Sequence, residues 1–365
     1  MSNYLVTLTP LDKFFFGGDM TFNVQGDDEH NSRFASYIIE SSMFPQQTSL
    51  LGMMRFLLLR NNADLFDGAG IRPGVTDQVS DLIGPSSFMV KEEGKKGSEF
   101  GKITRLHRCF VRCIKSDGAV HDLDAQGFDH NQGTLSQKYG FVNGRKVRIP
   151  DLGGYNAKEG YVKYLSDGIV EIPLFEVFAE DKRIGIQRDI TTGKTSDAGL
   201  FKQISYRFNN TSESRYCFAF YLEAEADFLK DYSGQTVSVG ADNSQFVIGI
   251  EEVSGIPGDD ALKAGRIVLK SPAYLSGEDV AKASFAFTET IPFRFLKTSV
   301  KDTESYSVLP RYKGAAKMKA PARSEGYELY AAGSVFYFDD DAGRNDFIDT
   351  LRSYEGFRQI GYNEF

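Results

Sequence analysis

At 365 residues the chain is long enough for two domains of ordinary size, and its 41% hydrophobic and 13% aromatic content excludes a disordered polymer. Thirty Phe and 18 Tyr with no Trp, alongside 36 Gly, favour strands and turns over a helical bundle. A formal net charge of −8 argues against bulk affinity for nucleic acid, because phosphate binding is supplied by Lys and Arg.

The opening MSNYLVTLTPLDK has no basic start followed by a long apolar run. Neither a secretory signal nor a membrane anchor is therefore expected, and the protein is expected to be soluble and cytoplasmic. Tyr4 to Thr9 alternates, with Tyr4, Val6 and Leu8 on one face, which predicts a strand ended by Pro10. Phe14 to Phe16 followed by Gly17 and Gly18 reads as an apolar plug meeting a flexible turn, and Asp19 to Ser32 as a loop. Thr48 is a candidate cap for a helix in which Leu50, Leu51, Met54, Leu57 and Leu58 follow the i, i+3, i+4 rule. Arg55 lies off that stripe, Pro45 fixes the entry, and Asn61 and Asn62 close the helix.

Lys91 to Gly154 is polar and Gly-rich without sustained periodicity, so an insertion or long loops are expected there. Strands are predicted at Ile169 to Phe178, Phe201 to Phe208, Tyr216 to Glu223, Phe246 to Glu251, Arg266 to Leu269 and Val335 to Phe338. A last helix, Ala342 to Tyr354, carries Phe347, Leu351 and Tyr354 on one side and is stopped by Gly356. Many strands with one strong helix near each end predict an α+β protein in two halves, with a boundary in the 150 to 185 region.

Chemistry is sparse. Cys109, Cys113 and Cys217 form no CxxC pair, which makes a disulfide scaffold or zinc knuckle unexpected. The overlapping sequons at Asn209 and Asn210 have no meaning without secretion. Thr192 to Thr195 looks like the end of a phosphate loop, but Arg188 stands where the first Gly is needed, so TTGKTSD reads as a hairpin tip. His121, Asp122, Asp124, Asp129 and His130 are the one place where histidines and carboxylates cluster; a divalent-metal site and a solvated loop are both open readings. Asp339, Asp340 and Asp341 precede the last helix and read as its cap. No nucleophile has a readable base partner. Between Arg294 and Arg323, eight basic residues stand against Asp302 and Glu304, a local balance of +6. That segment is a candidate anion-binding face, or equally a solvated loop.

Four stretches carry a resemblance. They are YLVTLTPLDKFFF at Tyr4 to Phe16 with Gly17 and Gly18 behind it, FPQQTSLLGMMRFLLL at Phe44 to Leu59, RIGIQRDITTGKTSDAGLFKQISYRF at Arg183 to Phe208, and Gly333 to Phe336. In this order they resemble the RAMP superfamily of CRISPR-associated proteins, and within it the family of third subunits of type III-B Cmr effector complexes. Phe201 stands where the family usually has Tyr, Gln46 where Pro is common, and the closing glycine-rich loop is short, being Gly356, Gly361 and Tyr362.

The resemblance implies two ferredoxin-like (RRM-type) domains in tandem with a β-hairpin thumb. They are expected over residues 1–170, with an insertion around 88–154, and over 171–365, with the hairpin at 183–208. It implies a non-catalytic subunit without cofactor that grips the 5′ handle of the crRNA. Such a subunit docks on the large polymerase-like subunit and on the backbone RAMP subunits, and meets target RNA only indirectly. Glycines allow backbone amides close to phosphates, and cations beside them neutralise charge. The RNA-binding candidates are therefore Lys13, Gly17, Gly18 and Arg55; Arg183, Arg188, Lys194 and Lys202 on the hairpin; Lys297, Arg311, Tyr312, Lys313, Lys317 and Lys319 in the basic segment; and Gly333, Arg358, Gly361 and Tyr362 near the end. The competing readings are a metal-dependent ribonuclease or phosphohydrolase built on His121 to His130, and an aromatic-rich β scaffold that binds protein or carbohydrate.

Overall fold

The computed structural model describes all residues except 19, 24–35, 69, 92–93, 130–134, 143–144, 152–162, 189–190, 194, 226, 241, 259–264 and 304–321. In chain order, β1 (Ser2–Pro10), β2 (Met20–Asn23) and β3 (Ser36–Glu40) lead to helices α1 (Gln47–Arg60) and α2 (Thr76–Ile83). Next come β4 (Ile103–Lys115), β5 (Val120–Ala125), the pair β6 (Leu135–Val142) and β7 (Arg145–Pro150), β8 (Tyr164–Ser166), β9 (Glu171–Pro173) and the single turn α3 (Leu174–Val177). A long hairpin, β10 (Phe178–Arg188) and β11 (Thr195–Phe208), precedes β12 (Ser214–Ala224), β13 (Thr236–Ser238) and β14 (Gln245–Val253). The remainder holds β15 (Arg266–Val268), α4 (Gly277–Val280), β16 (Phe285–Phe287), β17 (Thr290–Phe293), β18 (Leu296–Lys297), α5 (Val300–Thr303), β19 (Ala322–Arg323), β20 (Tyr327–Tyr330), β21 (Val335–Tyr337), α6 (Asp341–Ser353) and α7 (Glu355–Arg358).

The main sheet has eight strands in the order β13-β14-β1-β12-β4-β5-β8-β9. β1 lies between β12 and β14, antiparallel to both, so this sheet draws strands from either side of residue 170. Tyr4, Val6 and Leu8 are fully buried on one face of β1, as the alternation predicts. Leu5, on the other face, closes a small cluster with Phe110 and Ala219. The α1 stripe Leu50, Leu51, Met54, Leu57 and Leu58 is buried in the main core. Thr48, however, is inside the helix: Gln46 takes the N-cap position through its backbone carbonyl, which accepts from Ser49 N at 2.9 Å, with no side-chain cap. Asn61 closes the helix, its Nδ2 donating to the Leu57 carbonyl at 2.9 Å.

The stretch expected to be insertion or loop instead supplies β4, a 13-residue strand in the middle of the sheet. Its periodicity is hidden for two physical reasons. The pairing with β12 slips between Phe220 and Leu222, so the buried positions change phase from Leu106 to Val111 and Cys113. Its other positions carry Arg105, His107, Arg108 and Arg112, charges that find partners only in three dimensions. The strand expected from Ile169 to Phe178 is also broken. Pro173 ends β9, and one helical turn intervenes before β10.

The Phe14 ring sits among Phe16, Phe178, Phe208, Phe218 and Phe246, with centroids 5.0–6.4 Å away. Phe14 also exchanges backbone hydrogen bonds with Tyr206, at 2.7 and 3.0 Å, and so ties the segment after β1 to the root of the β10–β11 hairpin. Towards the end, Phe347 of α6 packs on Phe336 and Phe338 at 4.8 and 5.3 Å. Asp340 caps α6 by accepting from Gly343 N at 2.7 Å, as expected of the aspartate run. The helix ends at Ser353 with Tyr354 as its cap, and Gly356 falls within α7, where the Lys96 carbonyl passes too close for a Cβ.

Candidate nucleic-acid interface

The hairpin predicted at 183–208 forms, and it is anchored at one end only. Phe178, Ile204, Tyr206 and Phe208 are buried at its root. Further out, successive residues Lys182, Arg183 and Ile184, and then Ile186, are exposed, so neither face of β10 is covered there. Gly185 lies directly opposite Phe201, and a Cβ at Gly185 would meet that ring at 2.1 Å. The glycine is thus required by the aromatic side chain stacked over it. Asp181 organises the local charge: Lys13 Nζ donates to it at 2.8 Å and Arg183 Nε lies 3.5 Å away. The Lys13 hydrogen bond, with the charges of Lys13, Arg183 and Arg207, outweighs burial and holds the Asp181 carboxyl below its ordinary range.

Lys202 pairs in register with Ile184 and is half-buried. Arg188 pairs with Thr195 across an irregular register, so Thr195 to Asp197 of the expected TTGKTSD tip belong to β11, while Lys194 lies outside the described residues. No sequence signal singled out Ile184 and Ile186, which are 75% and 52% exposed, although apolar residues alternating along a hairpin could have been noted. In the basic segment, β18 pairs with β19, Leu296 opposite Arg323 and Lys297 opposite Ala322. The two ends of the +6 stretch are thereby brought together. Lys297 pairs with Glu325 at 3.2 Å, and Arg311, Tyr312, Lys313, Lys317 and Lys319 lie outside the described residues.

Other candidates have structural partners. Arg55 turns into the end of α2, its Nε and Nη2 donating to the carbonyls of Ile83 and Gly84, the latter at 3.1 Å. Burial lowers this guanidinium to about 10. Gly17 adopts φ +79° in open space, whereas Gly18 lies against the Glu40 carbonyl, where a Cβ would fall at 1.8 Å. Gly333, at φ +91°, lies against Phe128. Tyr362, expected at the RNA, is a core residue 5.4 Å from Phe293 and 6.0 Å from Phe357. Residues 360–365 are buried throughout, with Gly361 against Gln47 and His107, and Arg358 is half-buried in α7. The closing loop is therefore wedged into the fold, and a buried phenol offers no face to a base.

The His121 to His130 cluster is dispersed. His121 Nδ1 meets Asp167 at 2.7 Å; Asp122 takes both donors of Arg112 at 2.7 and 2.8 Å; Asp124 takes Arg108 Nε at 2.7 Å. Asp129 is buried against Arg266 and the Tyr337 hydroxyl, and His130 lies outside the described residues. Each carboxylate is thus occupied by a different cation. Among the described residues no three His, Cys, Asp or Glu side chains are arranged to hold a metal ion. The three cysteines are free thiols; burial pushes Cys109 up strongly and Cys217 up to about 11, which suppresses the nucleophilic thiolate. Among the described residues no helix is long and apolar enough to cross a membrane.

Residues 6–365 match the model of the family described as CRISPR-associated protein (Cas_Cmr3). No curated protein matches the chain. Two solved chains are similar over 99% of this one: a chain of the Type III-B Cmr-beta bound to cognate target RNA and AMPPnP, in state 1, at 12% identity, TM-score 0.45 and 94% coverage of that chain, and a chain of the Type III-B Cmr-beta bound to cognate target RNA, at 14% identity, TM-score 0.47 and 95% coverage.

Proposed function

The chain belongs to the CRISPR-associated Cas_Cmr3 family, and on that premise we propose that it is a non-catalytic, RNA-binding structural subunit of a type III-B CRISPR effector in the cytoplasm. In this reading it grips the 5′ handle of the crRNA and bridges the large polymerase-like subunit to the backbone RAMP subunits. The observation that carries the reading is strand β10 of the β10–β11 hairpin, where Lys182, Arg183, Ile184 and Ile186 are exposed on both faces, with half-buried Lys202 paired opposite Ile184. Splayed single strands need apolar surface for bases and cations for phosphates, and this element presents both.

Two further features support it. The order β14-β1-β12-β4, all antiparallel, with α1 crossing between β1 and β4 and a 3-10 segment, Asp227–Tyr232, between β12 and β14, is compatible with a βαββαβ unit and supports the ferredoxin-like reading, which the resemblance extends to the remainder. Asp122, Asp124 and Asp129 are each held by a guanidinium and Cys109 is buried, so the hydrolytic reading loses these carboxylates and this thiol.

The test is copurification of the tagged chain from its host with sequencing of the RNA that accompanies it. Short RNAs sharing one repeat-derived 5′ handle, together with other RAMP subunits, are expected. Clean chain without RNA would overturn the assignment, and divalent-metal-dependent cleavage lost in Asp122→Ala would replace it with the nuclease reading.

A further inference from the structure

We propose that the β6–β7 hairpin is a second, separate site for single-stranded RNA, in which the rings of Tyr139 and Phe141 stack bases while Lys146 and Arg148 on the same face meet phosphates. It uses none of the residues assigned to the handle and stands whether or not that assignment does.

The pairing fixes the face. Tyr139 lies opposite Arg148 and Phe141 opposite Lys146, and directly paired residues of an antiparallel ladder project to the same side. Tyr139 and Phe141 are two residues apart on one strand and so share that side as well. The opposite face carries Gly140, Val147 and Ile149; Val147 and Ile149 are half-buried, and a Cβ on Gly140 would lie 3.3 Å from the Ile149 methyl. The aromatic face, by contrast, leaves Tyr139 50% and Phe141 75% exposed.

Two exposed rings on a short strand cost hydration unless something covers them, and the charge around them says what does. Residues 135–150 contain Lys138, Arg145, Lys146 and Arg148 and no acidic residue, within a chain of net charge −8, and the nearest carboxylate in sequence, Asp151, pairs with Lys138 at 3.8 Å. Lys146 Nζ sits 4.2 Å from the Tyr139 ring centroid, over the ring, and Arg148 is held in place by Asp339 at 3.2 Å. Flat rings interleaved with cations are the surface that single-stranded nucleic acid needs, because every base has a stacking face and every nucleotide a phosphate.

Fluorescence anisotropy of the full-length chain with an oligouridine of about 15 nucleotides tests this. The paired change Tyr139→Ala with Phe141→Ala should weaken binding by roughly tenfold or more. Phe141→Trp should retain affinity, and Lys146→Glu should flatten the salt dependence. Photocrosslinking should place the RNA on the peptide that holds Tyr139 and Phe141. Failure of the wild-type chain to bind oligouridine, an unchanged affinity in a double variant of unaltered melting temperature, or crosslinks from this face only to protein would each overturn the proposal. Handle-bearing RNA recovered with the double variant separates this site from the handle reading.

Discussion

Gln47 Nε2 donates to the carbonyl oxygen of Ile360 at 2.9 Å, joining the first helix to a residue 313 positions later in the chain. The same nitrogen donates to the His107 carbonyl at 2.9 Å, so one carboxamide links α1, β4 and the closing segment. Gln47→Leu should cost roughly 1–3 kcal/mol for each carbonyl left buried without a donor. The midpoint of urea unfolding measures it, and an unchanged midpoint would mean that water replaces the amide.

Glu364 gives the fold an acid-sensitive point. Burial alone would raise its carboxyl, but the hydrogen bond and charge of His107, with Arg108 and Arg105, outweigh burial and hold it at about 2. A folded value below the ordinary 4.5 means that its contribution is complete above that range and is lost as pH falls towards about 2. Glu364→Gln should flatten the stability profile between those limits. At neutral pH it should destabilise by about 1–3 kcal/mol, because His107, Arg105 and Arg108 lose a buried anion while Arg108 keeps Asp124. Denaturation at a series of pH values reads both effects.

Gly361 has φ +85°, and a Cβ there would lie 2.0 Å from Gln47 Nε2. Gly17 has φ +79° with nothing within 4 Å. Gly17→Ala should therefore cost only the left-handed backbone term, about 1–2 kcal/mol, and Gly361→Ala clearly more. Equal melting temperatures for the two variants would contradict the packing of the closing segment.

Asp122 is held by both donors of Arg112 and is partly exposed. Asp122→Asn should lower stability by about 1 kcal/mol, and chelator should leave the melting temperature of the wild-type chain unchanged. A chelator-induced drop would revive a metal at this segment.

Arg183 and Lys202 stand on the outer hairpin, away from the buried root. Replacing both with Glu should leave the unfolding free energy within about 0.5 kcal/mol of wild type and sharply reduce RNA recovered with the chain. Full recovery would move the handle contact elsewhere.

Much of the fold was legible where signals are local. β1 and α1 announced themselves by period, the β10–β11 hairpin by its polar tip, and α6 by its aspartate cap. β4 escaped because a bulge shifts its phase and because its arginines look like solvent-facing charge until Asp122, Asp124 and Glu364 are seen beside them. Of the candidate site, the hairpin was recognised as an element, whereas Arg55 and Tyr362 were assigned by charge and aromaticity alone, which do not report burial.

By itself, the sequence determined β1, α1, α6 and its cap, the pairing segment Phe201 to Phe208 and the family resemblance, since each depends on residues close together in the chain. Only the tertiary structure decided that His121, Asp122, Asp124 and Asp129 part company and that residues 360–365 close the core. The reason is physical: a carboxylate goes to the nearest cation it can reach when desolvated, and that cation, Arg266 for Asp129, is 137 residues away in sequence.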